Sequence, residues 1–211
     1  MADTTTPPLL ARLGHDGRPV RPLRRDASRN RQRALDAARR LFAERGGEVT
    51  MEDVAAAAGI GKGTLYRGFP TRAALASAVL DESARGLQRD VLAGLGVGDR
   101  GPVAALVVFL ERLHRFTLEH LDLFCIAAEG AGLYRASPAY LWQRQTVAGL
   151  LDQAARRGES PPLDLDVVPD MLLAALAPDL VRFTRDHVGA DPGRVAGALE
   201  VMVRGVTAPT A

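Results

Sequence analysis

Residues 59–75 read GIGKGTLYRGFPTRAAL and contain Lys62, the only lysine in a chain with 26 arginines. Glycines at 59, 61, 63 and 68 and a proline at 70 forbid one continuous helix through the stretch. It reads instead as a stop at Gly59, a tight turn with Ile60 plugging a core, and a short helix from about Gly61 to Arg67 with Leu65 pointing inward. Phe69 closes the unit and Pro70 prevents continuation.

Working outward, Thr50-Met-Glu-Asp53 places a capping hydroxyl three residues before a carboxylate that bonds back, the signature of a helix start. The helix it opens, Met51 to Ala58, is alanine-rich on the face that approaches a neighbour. Upstream, Ala34, Leu35, Ala38, Leu41 and Phe42 recur at helical spacing from a start expected at Ser28 to an end at Gly46 and Gly47. Downstream, Thr71 caps a longer helix to about Leu92, with Leu75, Val79, Leu87 and Val91 as its apolar positions. A helix, a short helix, a tight turn and another short helix form a helix-turn-helix in a small bundle.

The rest of the chain continues in helices. Segments from Pro102 to Glu119, Leu121 to Glu129, Pro138 to Arg157, Asp166 to His187 and Asp191 to Val206 carry helical patterns. Gly94, Gly96, Gly98 and Gly101 mark one break, Gly130 and Gly132 another, and Gly158 to Pro162 a loop. No segment has a useful β period and no repeat occurs, so the fold class is all-α. The expected division is a disordered basic arm over 1–27, a helix-turn-helix head over 28–70 and a helical body over 71–211.

Charge follows the same division. The net charge is only +2, yet residues 1–72 hold 14 basic against 8 acidic residues and the remainder 13 against 17. A basic first third points to a polyanionic partner, or else to a solvated tail. Arg18, Arg21, Arg24 and Arg25 fit either a solubilising tail or an arm in a DNA minor groove. One cysteine, Cys125, excludes an intramolecular disulfide and reads as buried packing. No apolar run reaches membrane-spanning length and the polar N-terminus lacks a secretory core, so a cytoplasmic protein with no membrane partner is expected.

A helix-turn-helix lays its second helix in the major groove, where its first residues meet base edges and its flanks meet phosphate. Gly61 and Gly63 allow close backbone approach, Lys62 offers a point charge, and Thr64 a hydroxyl plus a methyl suited to thymine. Tyr66 and Arg67 reach toward phosphate, and Thr50 and Thr71 cap helix N-termini that attract it, with Arg72 beside the second. The alternatives are a merely solvated Lys62 and core roles for Tyr66 and, above all, Phe69.

The stretch RQRALDAARRLFAERGGEVTMEDVAAAAGIGKGTLYRGFPTRAAL, residues 31–75, resembles the tetracycline-repressor-like (TetR) transcriptional regulators. Its most specific part is GKGTLYRGFPTRAAL. The resemblance implies a three-helix DNA-binding head, a body that dimerises through its last two helices, and DNA contacts at Thr50, Lys62, Thr64, Tyr66 and Arg72. It departs from the family at Gly68, where an aromatic or histidine is usual, which bears on the geometry at the end of the recognition helix. The implied function is a ligand-responsive regulator, most simply a repressor, binding a palindromic double-stranded DNA operator as a homodimer. The competing reading is a helical ligand-binding or interaction protein with a degenerate head that no longer binds DNA.

Catalysis finds no support. His15, His114, His120 and His187 lack metal-ligand spacing with cysteines, Glu111 and His114 share a helix face that could bind a metal only with ligands from other helices, and neither a phosphate loop nor a nucleophile elbow occurs. No cofactor is implied. The pairing surface is expected from Val168, Leu172, Leu176 and Leu180 with Val195, Leu199, Met202 and Val206, and Pro178 is expected to kink its helix. Phe109, Leu113, Phe116, Phe124, Tyr140 and Trp142, with His114, Tyr134 and Gln143 nearby, are expected to line a pocket for a small apolar or aromatic, uncharged effector.

Overall fold

A computed structural model describes residues 23–94, 101–129 and 137–208. Among them there is no strand, and the helices are α1 (Leu23–Arg45), α2 (Met51–Ala58), α3 (Lys62–Gly68), α4 (Arg72–Gly94) and α5 (Pro102–Glu119). They continue as α6 (Leu121–Ala128), α7 (Pro138–Arg156), α8 (Val168–Ala174), α9 (Pro178–Asp186) and α10 (Pro192–Thr207). The all-α class holds. Most of the expected arm (residues 1–22), Gly96, Gly98, Gly130, Gly132 and Tyr134 lie outside the described residues.

Three boundaries differ from expectation. α1 begins at Leu23, so Ser28 lies inside it instead of capping it. From Asp26 to Arg33 it carries no buried side chain, which is why apolar periodicity did not mark that stretch. Pro178 does not kink a helix but starts one: Leu176 and Ala177 turn back with 3.0 and 3.1 Å bonds to Leu173 and Ala174, and Pro178 takes the first position of α9. The expected Asp166–His187 helix is therefore two short ones, with the chain direction reset between them.

The head is built from local rules. Thr50 Oγ1 accepts from the Asp53 amide at 3.1 Å, and Asp53 Oδ2 accepts from the Thr50 amide at 3.0 Å, a complete capping box on α2. Gly59 ends α2 in the left-handed region at φ 60°, its amide returning to Ala55 and Ala56. Arg33 of α1 donates to the Gly59 carbonyl at 3.3 Å, and a Cβ on Gly59 would stand 2.6 Å from that guanidinium. Val49, Val54, Leu65 and Phe69 are buried between α1, α2 and α3, with Arg31 over the Phe69 ring at 4.5 Å.

Packing does not stop at the expected 70/71 boundary. Leu75, Ala76 and Val79 of α4 and Leu123, Phe124 and Ile126 of α6 belong to the head's apolar cluster. Glu82 of α4 accepts from Arg39 at 2.7 Å and Gln32 at 3.0 Å, both on α1. The α6 helix packs on α4 and on the 3-10 turn Gly46–Glu48 that ends α1. A second cluster, from α5, α7, α8 and α10 around Phe109, Leu110, Val147 and Leu172, forms the distal body. The α4 helix contributes Val91 to that cluster as well, so it runs from one core to the other.

Candidate functional site

On α3 the side chains divide cleanly. Leu65 is buried at 1% exposure, while Tyr66 is 41% exposed and Lys62, Gly63, Arg67 and Gly68 all face solvent. Phe69 is 2% exposed and belongs to the core, as the alternative reading held. Lys62 Nζ pairs with Glu52 of α2 at 3.4 Å. Arg67 folds back along its own helix, donating from Nε to the Gly63 carbonyl at 3.1 Å and from Nη2 to Thr64 Oγ1 at 3.3 Å. It therefore orients the half-buried Thr64 as well as offering charge.

Apart from its own helix and chain neighbours, no described residue lies within 4 Å of a Cβ placed on Gly61, Gly63 or Gly68. Glycine inside a helix costs about 0.5–1 kcal/mol relative to alanine. No neighbour among the described residues demands that cost at Gly63. Gly68 leaves α3 intact: the helix includes it, and the Phe69 amide still closes on the Leu65 carbonyl at 2.8 Å.

The helix N-termini flanking this surface are capped and exposed. Thr71 Oγ1 accepts from the Ala74 amide at 3.0 Å at the start of α4. The Thr50 amide and hydroxyl, both donated to Asp53, hold that carboxyl below the ordinary aspartate range, with Arg45 at 3.2 Å adding to the effect. Arg72 sits differently from the sequence expectation. Its guanidinium turns toward Glu129 at 4.0 Å and lies 3.9 Å from a Cβ position on Gly47, so it spans from α4 to the turn after α1 and the end of α6.

Behind the head lies a cavity of about 860 Å³ between α4, α5, α6, α7 and α9. Phe116, Phe124, Leu80 and a series of alanines (Ala73, Ala74, Ala84, Ala127) make its apolar wall; Ser77, Asp81, Gln143, Asp179, Arg182 and His187 supply polar groups. Of the residues expected at the pocket, Phe116, Phe124 and Gln143 line it. Phe109 is fully buried and meets Trp142 edge-on at 5.5 Å, so those two rings fill each other's space in the distal core. Leu113 and Tyr140 border a separate hollow of about 50 Å³. The Tyr140 hydroxyl donates to Asp170, which also takes Arg144 Nε at 3.1 Å, so this tyrosine fastens α7 to α8.

Cys125 is half-buried on the cavity wall instead of packed in the core. The charged groups were missed because α4 and α9 gave no sequence sign of facing each other. Arg182 Nη2 reaches Asp122 Oδ1 at 3.3 Å, and the other Asp122 oxygen lies 3.0 Å from a Cβ position on Gly46. The cavity edge is thus joined to the turn that ends α1. His114 lies away from this cavity, beside the α9–α10 groove, where burial pushes its imidazole pKa down. Among the described residues no cluster of His, Cys, Asp or Glu could hold a metal ion, and no helix is long and apolar enough to cross a membrane.

The helix-turn-helix and the start of α4 coincide with a family model for bacterial regulatory proteins of the tetR family, which matches residues 34–79. By this segment the chain is similar to the TetR family. Two HTH-type transcriptional regulators of uncharacterized role from Mycobacterium tuberculosis strains are 43% identical over 61 residues, 28% of this chain. That match spans 30% of the length of these curated relatives. The crystal structure of a TetR transcriptional regulator from Streptomyces coelicolor is 29% identical, with a TM-score of 0.52 over 86% of this chain and 99% of its own. The fold, at 22% identity and a TM-score of 0.66, is also that of RolR in complex with resorcinol, over 88% of this chain and 96% of that one. The TetR-family resemblance of residues 31–75 therefore extends, as a fold, through the helical body.

Proposed function

We propose that the protein is a ligand-responsive DNA-binding regulator, acting as a repressor, that reads a roughly palindromic operator as a homodimer. The observation that carries this is the outward face of α3, with Lys62, Gly63 and Tyr66 exposed above a buried Leu65. In this reading Lys62 and Thr64 meet base edges, Tyr66 and Arg67 meet phosphate, and Thr50 and Thr71 present capped N-termini to the backbone. Arg72 holds the head to α6 in the free protein and serves DNA by positioning.

Pairing is supported by the outer face of α10. Gly197, Ala198, Val201 and Gly205 are all exposed at helical spacing, and Val201 is 72% exposed. Small side chains in such a stripe let a second helix approach closely. Two-fold pairing would set two recognition helices about 34 Å apart, one turn of DNA.

Control by a small molecule is supported by the cavity and by α4. This helix lines the cavity with Asp81 while the next residue, Glu82, grips α1. A ligand that shifts α4 changes the spacing of the recognition helices, and a hundredfold preference for the wrong spacing weakens DNA binding by up to about 2.7 kcal/mol. RolR, of the same fold, holds resorcinol in its crystal structure.

Selection of bound sites from random DNA tests the reading. The expected product is a set of sites with two-fold symmetry whose binding survives excess unrelated DNA and weakens with salt. Enrichment of no sequence, or binding abolished by unrelated DNA, overturns it.

A further inference from the structure

We propose that the cavity between α4 and α9 takes a lipophilic cation, a ring-sized apolar body bearing one protonated amine or quaternary nitrogen, held by Asp81 and Asp179. This names the ligand class of the effector cavity and rests on that reading.

The argument is a charge balance at the cavity wall. Arg182 Nη2 is already paired with Asp122 at 3.3 Å, a residue that is not part of the lining, while its Nε is buried with no hydrogen-bond partner among the described residues. Asp81 and Asp179 have no hydrogen bond or ion pair among the described residues, and both border the cavity. With Arg182 and Asp122 cancelling in charge, the unpaired formal charge bordering the space is negative, and the Arg182 Nε–H leaves room for one neutral acceptor on the ligand. Asp81 is half-buried and Asp179 exposed, so water serves both in the free protein; a neutral ligand seated over them would remove that water and return nothing, which is costly. An anion would have to displace Asp122 from Arg182 and then sit beside two carboxylates. A cation compensates the carboxylates, and the ring faces of Phe116 and Phe124 add attraction for it.

The arrangement also places the ligand's charge on the helix that controls the head. Asp81 faces the cavity from α4, one residue before the Glu82 that accepts from Arg39 and Gln32 of α1.

The test is fluorescence titration of the full chain at pH 8, where an ordinary imidazole is uncharged, with three acridines of one ring system: 9-aminoacridine (cation), acridine (neutral) and acridine-9-carboxylate (anion). The expected result is 9-aminoacridine binding at least about tenfold tighter than acridine, one close ion pair's worth, with the carboxylate weakest. In the doubly substituted Asp81→Asn/Asp179→Asn protein that preference disappears while acridine affinity and the melting curve stay unchanged. Equal affinity for acridine and 9-aminoacridine, tightest binding of the carboxylate, or a preference that survives both substitutions overturns the cation. Acridine bound equally well and lost in Ala128→Trp, which fills the cavity, would overturn the cation and leave the effector site standing. Binding of none of the three overturns both.

Discussion

Lys62 Nζ stands 3.4 Å from Glu52 Oε1, so the one lysine of the chain is held by an acidic residue of the preceding helix. Both side chains remain largely in water, at 67% and 49% exposure, and such a pair adds little to stability. On the proposed reading its consequence is for DNA: Glu52 would compete with the operator for Lys62 and bring a negative charge toward phosphate. Lys62→Ala is expected to weaken operator binding by about 1–2 kcal/mol, and Glu52→Gln to strengthen it. Neither should move the melting temperature appreciably. Anisotropy titrations on a selected site measure both, and a Lys62→Ala protein that binds like the parent contradicts the assignment of α3.

Gly63 separates what folding needs from what binding needs. With nothing within 4 Å of its Cβ position, Gly63→Ala is accommodated and should stabilise the head by about 0.5–1 kcal/mol. On the proposed reading the added methyl would stand where the backbone approaches DNA, so operator affinity should fall. Leu65→Ala does the reverse on stability, removing a side chain 1% exposed, at a cost of about 2–4 kcal/mol. Thermal melts beside binding curves decide the matter; a Gly63→Ala protein that binds DNA unchanged removes the case for close approach.

The capping box makes a pH prediction. Because the Thr50 hydrogen bonds and Arg45 lower the Asp53 pKa in the folded state, the unfolded chain takes up this proton first as pH falls. The stability contributed by Asp53 is complete above its unfolded value of about 3.9 and is lost as pH falls through the lower folded value. The melting-temperature gap between the parent protein and Asp53→Ala should be constant from about pH 7 to 5 and close below about pH 4. A gap that persists unchanged at the lowest pH would mean that the carboxylate charge does not matter there.

These local features were legible because their causes are local. Thr50, Asp53 and the helix-ending turn at Gly59 each act within a few residues, and the sequence states their order. Pro178 shows the limit: a proline inside a periodic run reads equally as a kink or a new start, and only the turn through Leu176 and Ala177 chooses. The cavity was less legible still. Rings were the sequence signal, yet Phe109 and Trp142 consume each other's space, while the cavity wall owes its openness to alanines facing a gap. Asp81, Asp122 and Arg182 come together through packing of three helices, which no spacing along the chain encodes.

The last two helices show the same ambiguity between an inward and an outward stripe, and it can be resolved by experiment. Val195, Leu199, Met202 and Val206 were expected to face a partner, but Leu199 is 3% exposed, and all four belong to or pack against the distal core. Leu172 and Leu176 are likewise buried at 2% and 6%. Periodicity identified the strongest apolar face of α8 and α10, and in a helix that also packs on its own body that face goes inward. The outward face of α10 is weaker in hydrophobicity, with Gly197, Ala198, Val201 and Gly205, and suits pairing by close approach instead of by bulk. Val201→Arg, which places a long charged side chain on that face, should therefore dissociate the homodimer while leaving the monomer folded. Leu199→Ala should cost the fold about 2–4 kcal/mol and leave association of the folded protein unchanged. Sedimentation velocity at micromolar concentration, paired with thermal melts, separates the two. A parent protein that sediments as a monomer rejects pairing altogether, and a dimer that survives Val201→Arg moves the interface away from α10, toward the exposed Met171 of α8 and Leu180 of α9.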